Sequence, residues 1–215
     1  MSEATLKKPH HHGNLREALV LAGLQLLEEG GPEALTLRRC AALAGVSHAA
    51  PAHHFDGLPG LRKAIADEGF RRFRNYMVDA EVLGEQTDRG RLKSITRGYL
   101  NFARDNRALF LLIFGYDLTG SRDSHADAGH FAYDPLRRCC APFVPKGVAP
   151  EVIEAQVWSL AHGFASLYLA GRFWSSASDG LFDAVMTLLD GVGAPAGVGM
   201  AGLGTAGLGK GGETA

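Results

Sequence analysis

The chain has 215 residues, of which 46% are hydrophobic and 21% are charged, and its formal net charge at pH 7 is -1. This composition is typical of a globular protein with a buried core. It excludes a histone-like or polybasic membrane-binding protein, because both need a large excess of positive charge. No run of about 18 apolar residues is present, so no membrane-spanning helix is predicted.

The N-terminus is charged and rich in histidine where a secretion signal has an apolar core. The cysteines are three, Cys40, Cys139 and Cys140, and two of them are adjacent, which is a poor basis for a disulfide framework. We therefore expect a cytoplasmic protein.

Three helices are predicted in the first quarter of the chain. Asn14 caps the first helix, which ends at the glycine–proline run of residues 30–32. Thr36 caps a short second helix, and a turn at residues 44–46 follows it. Ser47 then caps a third helix.

Further helices follow in chain order. A long one starts after Asp56 and Gly57, others are centred on residues 92–103 and 109–114, and two more cover residues 150–173 and 181–192. Residues 116–130 are polar and predict a mobile connection. No segment alternates apolar and polar residues as a half-buried strand does, so the predicted fold is all-α. The apolar stripes of the first two of these helices are formed by Leu61, Ile65, Phe70, Phe73 and Met77, and by Leu92, Ile95, Tyr99, Phe102 and Ala103.

The composition divides the chain into three parts. Residues 11–58 are predicted to form an N-terminal helical domain, residues 59–190 a C-terminal helical bundle, and residues 191–215 a flexible tail rich in glycine and alanine. The tail contains matches to the glycine pattern of dinucleotide-binding loops. Because no strand precedes them and no helix follows, they do not indicate a nucleotide site.

The segment from Thr36 to Phe55 is the most informative part of the sequence. Two short helices joined by a tight turn are the geometry that lays a second helix in the major groove of DNA. Small residues, among them Ala41 and Ala44, allow the two helices to cross closely. The alternative is an ordinary helical hairpin inside a bundle.

The sequences HHGNLREAL and GGPEALTLRRCAALAGVSHAAPAHHF resemble the N-terminal domain of TetR/AcrR-type transcriptional regulators. A second similarity is carried by Trp158, His162 and Gly163 in WSLAHGFASLYLAGRF, which resembles the WHG-type C-terminal domain of some members. The resemblance implies an N-terminal three-helix domain with a helix-turn-helix, followed by a helical bundle for ligand binding and dimerisation.

By position, the resemblance implies that Thr36 touches a phosphate and that Ser47 and His48 open the recognition helix. The residues expected to contact DNA are Thr36, Arg38, Arg39, Ser47, His48, Ala49, His53 and His54. Phe55 is expected in the core. The chain departs from the family pattern where Ala52 replaces a phosphate-contacting Tyr and Leu58 a Lys, and Pro51 falls inside the expected third helix.

The resemblance also implies that the C-terminal bundle binds a small molecule, whose identity the sequence does not specify. Ligand contacts are expected from a largely aromatic set, and the alternative for each member is ordinary core packing. This set is Phe73, Met77, Tyr99, Phe102, Phe110, Phe114, Trp158 and His162. In particular, His162 could instead be an interior histidine that keeps two helices in register.

The last two helices are expected to pair with those of a second copy, because two recognition helices must reach half-sites about 34–36 Å apart. The residues expected at this contact are Leu160, Phe164, Leu167, Leu181, Val185, Leu188 and Leu189. A homodimer on a palindromic operator is therefore predicted.

No catalytic residue, metal site or cofactor is predicted. The histidines at positions 48, 53 and 54 lack cysteine or carboxylate neighbours at ligand spacing, and no nucleophile occupies a recognisable motif. The sequence thus predicts a ligand-released repressor that is not an enzyme. The alternative is a helical ligand-binding or interaction protein whose operator binding is weakened or lost.

Overall fold

A computed structural model describes residues 15–115, 126–173 and 178–193, and within these ranges the chain is helical and has no strand. The predicted all-α fold is confirmed. The α-helices are α1 (Leu15–Ala34), α2 (Leu37–Leu43), α3 (Gly57–Leu83), α4 (Asp88–Asp105), α5 (Arg107–Phe114), α6 (Ala126–Cys140), α7 (Pro150–Leu169) and α8 (Ser178–Met186). Short 3-10 helices cover Ala50–His53, Ala141–Phe143 and Thr187–Gly191. The predicted Asn14 cap, residues 116–125 of the predicted connection and residues 194–215 of the predicted tail lie outside the described residues. The tail prediction is wrong for its first residues, because Gly191 ends a 3-10 helix and the Val192 carbonyl accepts from Arg89.

The helical path of α1 is broken near its end, as the glycine–proline run predicted. Gly31 has φ 68° and ψ −167°, a combination that only glycine adopts without strain. Pro32 follows and its carbonyl accepts the amide of Leu35 at 3.2 Å. The chain therefore leaves α1 at a fixed angle toward α2.

The central pair of the molecule is α3 and α4, which share the largest contact between two helices. Their backbones approach closely at Gly98, where an added Cβ would lie 2.3 Å from the Tyr76 carbonyl oxygen and 2.7 Å from Met77 Cα. All five predicted core residues of α4 are buried. The helix α3 begins at Gly57 and therefore crosses the predicted domain boundary after residue 58. It packs against helices of both predicted domains.

The helix α6 was not predicted. Its first residues, 126–130, belong to the stretch 116–130 that the sequence predicted to be a mobile connection. Residues 126–130 are helical, despite Gly129 and the internal Pro135 that argue against a helix in the sequence. Burial explains the outcome. Ala132, Leu136 and Cys139 repeat at helical spacing and are at most 9% exposed, so tertiary packing outweighs the poor local propensity.

A row of charged contacts joins α8 and the residues that follow it, as far as Val192, to α4. Arg89 donates to the carbonyls of Leu189 and Val192, Lys93 lies 2.6 Å from Asp190, and Arg97 pairs with Asp183. Each basic residue is one turn further along α4 than the last. The 3-10 helix after α8 is therefore held in a defined register.

Candidate nucleic-acid interface and aromatic cluster

The helix α2 begins as the sequence predicts. Thr36 is extended, with φ −134° and ψ 149°, and its hydroxyl oxygen accepts the backbone N–H of Arg39 at 3.2 Å. Cys40 and Ala41 are buried beneath the helix. Such a cap satisfies one of the free amides at the helix start.

The predicted third helix is a single 3-10 turn, Ala50–His53, rather than an α-helix opened by Ser47. The bonds run from the amide of Ala50 to the Ser47 carbonyl at 3.0 Å and from Ala52 to Ala49 at 3.2 Å. Pro51 accounts for the change. It has no N–H to extend an α-helical ladder, and its ring disfavours the α conformation at Ala50.

We call residues 47–54 the recognition segment. Pro51 is buried and anchors it to the body, Ala50 is half-buried, and the other residues of the segment are exposed. Phe55 is buried, as expected, and the Arg16 guanidinium lies 5.4 Å above its ring. All eight expected DNA contacts are exposed: Thr36, Arg38, Arg39, Ser47, His48, Ala49, His53 and His54.

The two departures from the family pattern differ in their surroundings. Ala52 is exposed, so a longer side chain there would reach solvent. Leu58 is half-buried and packs against the hydrophobic core. Neither residue carries a charge. The basic side chains among the expected DNA contacts are therefore those of Arg38 and Arg39 on α2 and of the three histidines.

Most of the expected ligand-binding residues form one aromatic cluster between α3, α4, α5 and α7. Phe73 contacts Tyr99 and Phe114 edge-on, with ring centroids 4.8 and 5.4 Å apart. Phe110 stacks on the imidazole of His162 at 5.6 Å. Phe102 also packs on Phe73, at 5.3 Å. These rings fill the space around one another and account for much of the burial in the C-terminal bundle.

One polar pair lies inside this cluster. The Tyr99 hydroxyl is 2.7 Å from Nδ1 of His162. Burial raises the pKa of Tyr99, which a polar contact with the Trp158 indole partly offsets, and burial lowers the pKa of His162. Either group can donate in the bond between Tyr99 and His162, because the role of Nδ1 follows from the tautomer of the imidazole.

The remaining two expected ligand contacts occupy the margins of the cluster. Met77 is buried one turn along α3 from Phe73. Trp158 is 38% exposed, and its ring lies 5.1 Å from that of Tyr133 on α6. The structure thus brings the aromatic residues and His162 together, with Trp158 partly exposed at the edge, where its indole contacts the Tyr99 hydroxyl.

A buried carboxylate, Glu154, escaped the sequence analysis. It is 4% exposed on α7 and faces Tyr133 and Cys140 of α6. Burial and the bond to Glu154 raise the pKa of the Tyr133 phenol, and burial raises the pKa of Cys140 to about 12. The sequence feature that could have indicated this buried carboxylate is an acidic residue beside the apolar stripe of α7, four residues before Trp158.

The expected dimer residues divide into three groups. Leu167 and Leu188 are 48% and 63% exposed, Leu160, Leu181 and Val185 are half-buried, and Phe164 and Leu189 are buried in their own chain. Phe164 packs on Phe182 with centroids 5.6 Å apart. The assignment of Phe164 and Leu189 to the dimer contact is therefore wrong, because Phe182 of α8 packs on Phe164 and the 3-10 helix that carries Leu189 is held against α4.

The comparisons with known proteins agree with this architecture. Residues 92–189 match the family model described as tetracyclin repressor-like, C-terminal domain. A solved structure of a protein with unknown function from Rhodococcus sp. RHA1 is 31% identical, covers 87% of this chain and 100% of that chain, and superimposes with a TM-score of 0.75. The chain belongs to the TetR family.

Two further structures share the fold at lower identity. The TetR-family transcriptional regulator PfmR from Thermus thermophilus is 16% identical over 82% of this chain and 94% of that chain, with a TM-score of 0.57. The fatty acid degradation regulator FadR from Bacillus halodurans is 13% identical over 85% and 96%, with a TM-score of 0.66. A search of curated proteins finds no match.

Membership in the TetR family supports a role as a transcriptional regulator. Members of this family bind DNA and dimerise, and they are generally not enzymes. In the described ranges, no helix is long and apolar enough to cross a membrane. The same ranges contain no group of three or more His, Cys, Asp or Glu side chains arranged to hold a metal ion.

Proposed function

We propose that this TetR-family protein is a repressor that binds a palindromic operator as a homodimer and is released by a small molecule. The observation that carries the proposal is that all eight expected DNA contacts are exposed, on two elements that contact each other, α2 with its cap and the recognition segment. Cys40, Ala41, Pro51 and Phe55, which alternate with these contacts along the chain, are buried. A surface of polar and basic side chains on a packed support is what phosphate contacts and base readout require.

The expected DNA contacts fall into groups that have separate roles in this proposal. Thr36 and Arg39 contact phosphates at the start of α2, with Arg38 beside them, and these contacts position the protein without reading sequence. Ser47, His48 and Ala49 meet base edges or the adjacent backbone. His53 and His54 extend the contact along the duplex.

Effector binding is assigned to the cluster around Tyr99 and His162. Its members differ from a plain hydrophobic core because they enclose a hydrogen-bonded pair between α4 and α7. A ligand that competes for the Tyr99 hydroxyl or His162 would favour a different packing of these helices. The population of dimers with the operator spacing would then fall.

The proposal includes a cytoplasmic location. Cys40, Cys139 and Cys140 are all unpaired and buried. Free thiols in the core fit a reducing compartment better than an oxidising one.

A footprint on the DNA upstream of the protein's own gene tests operator binding. The expected result is saturable protection of a palindrome whose half-sites are about 34–36 Å apart, or a multiple of that distance. Binding to any DNA without a protected site, and with strong salt sensitivity, would contradict the proposal.

That contrary result would favour a second candidate, a helical ligand-binding or interaction protein with weakened operator binding. The specific observation in its favour is that the recognition segment contains only a short 3-10 helix, Ala50–His53. In addition, Ala52 stands where the family pattern has a phosphate-contacting Tyr. The footprint separates the two candidates because only the repressor is expected to protect a defined palindrome.

A further inference from the structure

A groove with a cavity of about 260 Å³ opens between α4, α7 and α8. Its wall includes Arg97, Asn101 and Arg104 from α4, Phe164 and Tyr168 from α7, and Phe182 from α8. We propose that this groove is a second small-molecule site, which takes an organic anion with a planar aromatic body. The proposal does not depend on operator binding.

The groove is separate from the aromatic cluster. Arg97, Asn101 and Arg104 are spaced by four and three residues, so they share one face of α4. At about 100° per residue, that face lies about 180° from Tyr99, which points into the cluster. A ligand in the groove therefore touches none of the residues assigned to effector binding above.

The polar side of the groove is cationic. Asp183 and Asp105 pair with Arg97 and Arg104, but neither carboxylate is part of the groove wall. Arg97 and Asp183 are half-exposed, and exposed ion pairs contribute little stability, so an incoming anion can share or replace the carboxylate. The Arg97 guanidinium has five N–H donors, more than the Asp183 carboxylate can occupy.

Two polar groups beside the arginines can form hydrogen bonds to a ligand in the groove. The Asn101 amide and the Tyr168 hydroxyl line the groove and have no hydrogen-bond partner within the described part of the chain. An amide and a phenol can donate to a carboxylate and thereby add direction to the charge attraction. Asn101 lies on α4 between the two arginines.

The apolar side of the groove defines the body of the ligand. Phe164 and Phe182 are buried with centroids 5.6 Å apart, and the Arg97 guanidinium lies 4.8 Å over the Phe182 ring. A flat ring fits against such a wall, since aromatic pairs favour offset and edge-on packing. The ligand class is accordingly an aromatic carboxylate or a similar anion of modest size.

Isothermal titration calorimetry of the full-length protein without DNA tests the site, with 1-naphthoate as the anion and 1-naphthalenemethanol as its neutral analogue. Naphthoate should bind at least about tenfold more tightly than the alcohol, since only the anion forms charge-assisted bonds. Equal affinity for the two probes, or no naphthoate binding at millimolar concentration, would overturn the proposal.

Three variants separate the groove from a general effect on folding. Arg97→Gln should weaken naphthoate binding more than about tenfold, whereas Asp183→Asn should tighten it by freeing the same guanidinium. Lys93→Gln is the matched control, because Lys93 joins α4 to Asp190 in the same way but does not line the groove.

The outcomes of the three variants are distinct. Equal losses in Arg97→Gln and Lys93→Gln, or weaker binding in Asp183→Asn, would assign the effect to helix docking and overturn the proposal. Unchanged binding in Arg97→Gln would place naphthoate elsewhere and would also overturn it. If Arg97→Gln does not fold, Arg104→Gln replaces it. A negative result leaves the footprint experiment unaffected, so the two proposals fail independently.

Discussion

The Tyr99 hydroxyl and the His162 imidazole are joined by a 2.7 Å hydrogen bond between α4 and α7. This bond is the polar contact at the centre of an otherwise aromatic cluster. It joins the two helices inside the cluster, where the rings of Tyr99 and His162 both lie against Phe110 and Phe114. The pair thus has a structural role whether or not an effector contacts it.

Replacing Tyr99 with Phe should lower the free energy of unfolding by about 1–2 kcal/mol, because Nδ1 of His162 loses its partner within the cluster. Denaturant unfolding monitored by circular dichroism measures the change. Tyr168→Phe is the matched control, since the Tyr168 hydroxyl has no hydrogen-bond partner in the described ranges. Equal losses in the two variants would show that the Tyr99 hydroxyl contributes nothing specific.

Acidification should destabilise the protein through His162. Burial lowers the pKa of His162 in the folded state from its ordinary value of 6.5. As the pH falls below 6.5, the unfolded chain binds a proton before the folded chain does, so stability falls until the folded pKa is reached. His162→Gln should have a shallower loss than the wild type when unfolding is measured between about pH 7.5 and pH 5. Parallel pH profiles would contradict this assignment.

Gly98→Ala should be among the most destabilising single changes, with a loss of more than about 2 kcal/mol. The new Cβ would lie 2.3 Å from the Tyr76 carbonyl oxygen, which is backbone and cannot move aside without parting α3 from α4. Gly163→Ala is the control, because nothing lies within 4 Å of its added Cβ. Gly163→Ala should stabilise α7 by up to about 1 kcal/mol, and thermal unfolding distinguishes the two.

The dimer contact should depend on Leu167 and Leu188, the exposed apolar residues of the predicted set. The double change Leu167→Glu and Leu188→Glu should give a folded monomer in sedimentation velocity, because it adds charges to an apolar contact. Leu83→Glu serves as the control, since Leu83 is 87% exposed on α3 and outside the set. A dimer that survives the double change would exclude this surface.

Arg39→Ala and His48→Ala should affect operator binding differently. Arg39→Ala should weaken binding to all sequences to a similar degree and reduce the salt dependence by about one counterion. His48→Ala should change the preferred base at one position of each half-site. Fluorescence anisotropy on the operator and a scrambled duplex measures both, and equal effects of the two changes on both duplexes would contradict the assigned roles.

Local patterns in the sequence predicted much of the fold. The stripe of Leu92, Ile95 and Tyr99 is buried, and Thr36 caps α2, because both depend on residues within a turn or two of one another. The helix α6 could not be predicted in this way. Its stability comes from burial of Leu136 and Cys139 against other helices, and local propensity at Pro135 opposes it.

The candidate sites show the same limit. The exposed face of α2 and of the recognition segment follows from local patterns, whereas the groove joins residues from three helices. Its arginines look like ordinary surface charges in the sequence, and Phe164 looks like a dimer residue. Only the docking of α8 on α4 brings Arg97 over Phe182 and creates the groove.

Pro51 has a consequence for the operator itself. A 3-10 helix rises about 2 Å per residue, so the four residues of Ala50–His53 extend along about 8 Å, close to two steps of duplex DNA at about 3.4 Å each. An operator read by this element would specify few base pairs in each half. The interval between its halves would then carry much of the information that distinguishes it from the rest of a genome.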